Sequence, residues 1–113
     1  MIEEKVILAA LEEIKLHSLR FTMDDITARL HMSKSSLYKL VPTKNKLVEE
    51  VVDYLSVSFN RQQQNILNGK GDIDNKVMDL LRLHTASFPL ADNTMNKDLQ
   101  INYPELWKRW LNV

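Results

Sequence analysis

Residues 22–47, TMDDITARLHMSKSSLYKLVPTKNKL, hold the side chains with the plainest chemical use. Lys34, Lys39 and Lys44 are cations, Ser35 and Ser36 are small donors and acceptors, and Tyr38 adds a ring and a hydroxyl among them. Such a set suits a polyanion: lysines bind phosphate, and short hydroxyls reach base edges without holding a helix away from them. Each lysine alone reads as a solvated surface group, and Tyr38 alone fits a partly buried aromatic; together they favour phosphate contact. The wider window 14–47 carries seven basic side chains (Lys15, Arg20, Arg29, Lys34, Lys39, Lys44, Lys46) against Asp24 and Asp25, a net +5 over 34 residues. The whole chain is neutral, with 15 basic and 15 acidic residues. A locally basic module in a neutral chain is compatible with binding phosphates.

The elements that must position these groups are short, capped helices. Thr22 stands as an N-cap with Asp25 three residues later, close to a capping box. The helix it opens runs to about Leu30, with Met23, Ile26 and Leu30 facing inward. His31-Met32 makes a turn, Ser33 is a second cap, and a short helix runs to about Leu40, anchored by Leu37. Pro42 closes it, because the residue before proline is pushed out of the α region, and Thr43 caps the next helix. Two short capped helices across a tight turn outline a helix-turn-helix, in which the second helix enters the major groove. The alternative is an ordinary pair of bundle helices.

Around this unit, Ile7, Ala10, Leu11 and Ile14 form one face of a first helix over residues 3–17. A long fourth helix carries Leu47, Val51, Leu55 and Phe59, widened by Val48 and Val52, to about Leu67. Asn68-Gly69-Lys70-Gly71 is a loop and Asp72 caps a helix whose stripe is Ile73, Val77, Leu80, Leu81, His84 and Phe88, stopped by Pro89. Residues 90–100 read as polar and irregular. Pro104 then occupies a first helical position, followed by Leu106, Trp107, Trp110 and Leu111 at helical spacing. The reading is all-α, about six helices.

Composition narrows the chemistry further. The chain has 113 residues, 44% hydrophobic and 27% charged, as expected of one globular domain rather than disorder. There is no cysteine, which removes disulfides and thiolate chemistry. His17, His31 and His84 are not spaced as metal ligands, and no nucleophile–base pair or phosphate-cradling loop can be assembled; the expectation is no enzyme, no metal and no cofactor. Asp24 and Asp25 read as helix-start charges that complement the macrodipole. No apolar run is long enough for a membrane span, and the acidic start lacks signal-peptide character, so a cytoplasmic protein with no membrane partner is expected.

Taken together, Ile7-x-x-Ala10, Thr22-Met23-Asp24-Asp25-Ile26, Met32-Ser33-Lys34-Ser35-Ser36-Leu37-Tyr38 and Lys44-x-Lys46-Leu47 make the sequence resemble the tetracycline-repressor (TetR) family of bacterial transcriptional regulators over roughly residues 3–55. Asn102-Tyr103-Pro104-Glu105-Leu106-Trp107 also looks like a phrase of that family's effector domains. The family commonly has Gly where Ser18 and His31 stand, Ala where Thr27 stands, and an aromatic pair where Leu40-Val41 stands. His31 at the turn is therefore expected to need a left-handed backbone.

The resemblance implies a role at each matching position. Thr22 would bond a phosphate, Lys34, Ser35 and Ser36 would face the groove floor, and Tyr38 would lie along the sugar-phosphate wall. Lys39 would meet phosphate or a base, Thr43 would aim the N-terminal amides of the fourth helix, and Lys44 would clamp a neighbouring phosphate. It also implies a three-helix N-terminal helix-turn-helix DNA-binding domain (residues 1–46) joined by the long fourth helix to a helical effector/dimerisation domain (residues 47–113). Met78, His84, Phe88 and Trp107 would line an effector pocket there, although each reads first as core. Because the family usually continues for several more helices, the chain is expected to be a fragment or incomplete. The implied function is a ligand-responsive repressor, homodimeric in the full-length form, that binds a palindromic operator in double-stranded DNA and responds to a small-molecule effector. The alternative is a helical protein-interaction module that no longer binds DNA, suggested by His31 and Leu40-Val41.

Overall fold

A computed structural model describes residues 3–87 and 93–111. Among the described residues every regular element is a helix, with no strand. In chain order they are α1 (Glu4–His17), a 3-10 turn (Ser18–Arg20), α2 (Met23–Leu30), α3 (Lys34–Leu40), α4 (Lys44–Asn68), α5 (Ile73–Ser87), α6 (Asn93–Asn102) and α7 (Pro104–Leu111).

Local chemistry explains most boundaries. The Asp25 amide donates to Thr22 Oγ1 at 3.2 Å while the Thr22 amide donates to Asp25 Oδ2 at 2.8 Å, a complete capping box. Ser33, Thr43 and Asp72 each accept from a backbone amide three residues on, at 3.1, 3.0 and 2.8 Å. These bonds satisfy amides that would otherwise lack helical partners. His31 ends α2 at φ 54°, ψ 44°, the left-handed conformation expected of it. Ser18, at the other position where the resembled family commonly has glycine, also has positive φ (55°).

The core is built where the apolar stripes of α1, α2, α3 and the start of α4 converge. Ile7, Ala10, Leu11 and Ile14 of α1 are buried, as are Met23 and Ile26 of α2 and Leu37 of α3. Leu47, Val48, Val51 and Val52 bury the first half of α4. Phe21, which links the 3-10 turn to α2, is fully buried in the same core cluster.

Two expectations are corrected. Residues 93–100, within the 90–100 stretch read as mostly irregular, belong to α6, so there are seven α-helices among the described residues rather than about six. The segment is polar, and propensity alone would not hold it; tertiary anchoring does. Leu99 is fully buried in the core cluster, and Asp98 Oδ2 accepts from Ser18 Oγ at 3.1 Å. In α5, the stripe of Ile73, Val77 and Leu81 is exposed, while Leu83 is buried and Leu80 half-buried. Periodicity identifies an apolar face, but the neighbouring α4 decides which part of α5 is covered.

The tryptophan-bearing helix finds its cover within the chain. Leu106 is buried, and Trp107 and Trp110 pack half-buried on the core cluster. Arg109 pairs with Glu49 and Asp53, fastening α7 to α4. These carboxylates raise the Arg109 pKa further, with Asp53 the larger influence.

Candidate nucleic-acid interface

The second short helix is held chiefly by one fully buried residue, with Leu40 half-buried against the core, and presents most of the rest. Leu37 is fully buried, whereas Lys34, Ser35, Ser36, Tyr38 and Lys39 are exposed. Seven residues make barely two turns, so one fully buried anchor leaves the outer face to solvent. Its first turn is a hydroxyl cluster: Ser33 Oγ lies 3.2 Å from Ser35 Oγ and donates to Ser36 Oγ at 2.9 Å. Ser33 is thereby occupied as a cap, while Ser35 and Ser36 retain capacity toward an outside partner. Lys39 makes no ion pair among the described residues.

Thr22, Lys34, Tyr38 and Lys44 line one surface depression together with Arg20 and Asp24. The fold thus joins residues from the 3-10 turn, the starts of α2 and α4, and α3. Thr22 accepts the capping bond, which leaves its hydroxyl proton available to an anion. Lys34 Nζ meets Asp24 Oδ1 at 3.1 Å, and that carboxylate raises the lysine pKa, keeping the ammonium charged. Thr43 is exposed and caps α4 through the Lys46 amide.

Lys44 is fastened more firmly than a free phosphate clamp. Its Nζ donates to the Leu19 carbonyl at 2.5 Å and stands 4.7 Å from the Phe21 ring centroid. Partial burial lowers its pKa, opposed by the charges of Asp98 and Asp25. Its ammonium is therefore a fixed positive feature of the depression.

Arg20 counted in the basic window of the sequence but was given no site role there. Its position two residues before the Thr22 cap was the available signal, but the 3-10 turn decides that it lines the depression. Asp24 likewise read only as a helix-start charge, and its pairing with Lys34 depends on how α2 and α3 cross.

Of the four residues expected to line an effector pocket, the side chains of Met78 and Trp107 are among those described. Met78 is half exposed on α5, and Trp107 packs on the core from α7. The side chain of His84, and Phe88 altogether, lie outside the described residues. No helix among the described residues is long and apolar enough to cross a membrane.

Comparison with protein families gives a match over residues 6–51 to the model described as bacterial regulatory proteins, tetR family. No curated protein and no solved structure matches the chain. The matched span runs from α1 through the first turns of α4, the same elements that build the exposed helix and its anchoring depression. Residues 6–51 are therefore a TetR-family N-terminal DNA-binding domain, which implies a DNA-binding transcriptional regulator.

Proposed function

We propose that the protein is a ligand-responsive repressor that reads a palindromic operator with the helix at 33–40, acting in the cytoplasm as a homodimer in its full-length form. The observation that carries this reading is the outward face of α3, where Lys34, Ser35, Ser36 and Lys39 are exposed over the fully buried Leu37. Ser35 and Ser36 approach base edges, Tyr38 lies on the sugar-phosphate wall, and Lys39 meets phosphate or a base. Thr22 and Lys34 seat a phosphate in the depression, with the fixed charge of Lys44 beside it and Thr43 aiming the first amides of α4.

In this reading residues 1–46 are the reading domain and residues 47–113 belong to the effector and dimerisation domain. α4 has 25 residues and is about 37 Å long, so it passes from one into the other. An effector that prefers one tilt of α4 changes the spacing of two reading heads by shifting populations, to the extent of its differential affinity. Met78, His84, Phe88 and Trp107 are the proposed lining of that effector's pocket.

Selection of bound sites from a random duplex pool tests the proposal. The expected result is an enriched palindrome whose half-sites lie one turn apart, about 34–36 Å. A folded protein that enriches no site would refute sequence-specific reading and favour the protein-interaction alternative.

A further inference from the structure

No histidine spacing in the sequence suggests a metal ligand set, yet the fold brings one histidine against two carboxylates on the flank of α1 and α2. Glu13 and His17 are one turn apart on α1, and Asp25 stands in the first turn of α2. One ligand atom from each lies within 4.8 Å of the other two. We propose that Glu13, His17 and Asp25 bind a first-row divalent cation of the Zn2+ class.

The donor geometry is close to what such an ion needs. His17 Nε2 and Glu13 Oε2 are 3.6 Å apart, and two ligands on a tetrahedral ion with bonds of about 2.0–2.1 Å stand roughly 3.3–3.4 Å apart. His17 is exposed, so its side chain has room to turn toward Asp25 while the capping bond holds Asp25 Oδ2.

Glu13 is the buried base of the site, at 7% exposure. Arg29 Nε donates to its Oε1 at 2.9 Å. Its Oε2 accepts no hydrogen bond among the described residues and faces the imidazole. Arg29 is thus a positioning residue that turns the second oxygen toward the ion. The capping box uses Asp25 Oδ2 alone, leaving the other oxygen for coordination.

Charge and access agree. With neutral imidazole, two carboxylates and one guanidinium leave a net negative charge for a dication. The three ligands, Arg29 and His31 line a depression open to solvent, so water can complete the shell. Imidazole with carboxylates suits Zn2+ and its neighbours rather than soft ions. The ion would tie α1 to the start of α2 and stabilise the reading domain, whether or not that domain binds as proposed above.

The test uses the metal-free chain, titrated calorimetrically with Zn2+ and spectroscopically with Co2+. The expected result is one ion per chain, with an intense visible Co2+ band from four- or five-coordination. His17→Ala should abolish that band and weaken Zn2+ binding at least about tenfold, and Asp25→Asn should also weaken it about tenfold. Asp25→Asn keeps an oxygen for the Thr22 amide, and circular dichroism of both metal-free variants verifies their folding. Non-saturating binding, or unchanged affinity in folded His17→Ala, would overturn the site.

Discussion

Asp24 shares the depression with the groups expected to seat a phosphate and pairs with Lys34 at 3.1 Å. A DNA phosphate approaching Lys34 must therefore compete with a carboxylate already in place. Asp24→Asn removes the competitor while keeping the side chain's size. Each phosphate neutralised adds about 0.9 to the slope of log affinity against log salt, worth about 3.5-fold between 50 and 200 mM. If Asp24 withholds most of the Lys34 charge, the variant gains up to that increment in slope. Its affinity for generic duplex DNA should rise roughly three- to fivefold at 50 mM salt, with the gain shrinking as screening shortens its reach. Lys34→Ala should move affinity and slope the opposite way. In the Lys34→Ala background Asp24→Asn should do much less, because the two groups act as a pair. Fluorescence anisotropy of a labelled duplex, titrated at several salt concentrations, reads all four proteins. Unchanged affinity and slope at 50 mM in Asp24→Asn, with wild-type binding intact, would show that the α2–α3 rim does not approach the phosphates.

Three other outcomes follow from positions elsewhere in the fold. His31→Gly should stabilise the protein by about 1 kcal/mol, because a left-handed residue other than glycine is strained there; a melting temperature that fails to rise would count against strain at the turn. Leu99→Ala should cost about 2–4 kcal/mol in urea unfolding, since this α6 side chain is fully buried in the shared core, and a loss below 1 kcal/mol would mean that α6 is not anchored. Burial, with Asp98 assisting, raises the Tyr103 pKa above the ordinary 10.0. The folded state then keeps a proton that the unfolded chain loses, so stability falls as pH climbs above 10.0 through the raised value. Tyr103→Phe should flatten that decline in urea midpoints followed into the alkaline range, and an equally steep fall would exclude the phenol as its source.

Helix boundaries were legible in the sequence where the deciding contact lies within a few residues. Thr22, Ser33, Thr43 and Asp72 all cap as their types and spacing indicate, because a cap hydrogen bond spans three residues. Leu37 as the fully buried anchor of α3, and the left-handed His31, were legible for the same reason: one turn of helix and one tight turn leave few alternatives. The residues of the family pattern also lie in order along the chain, which makes the DNA-binding reading available from the sequence.

Contacts between distant segments were settled by tertiary packing. Helicity of residues 93–102 depends on Leu99 entering the core and on Ser18 reaching Asp98, 80 positions along. Lys44 could be recognised as a cation near a helix start, but its fastening to Leu19 and Phe21 depends on where the 3-10 turn meets α4. The same holds for Lys34 with Asp24, and for Glu13 and His17 with Asp25. A stripe or a charge can be read from a string of residues, but its neighbour exists only once two helices have crossed at a particular angle and depth.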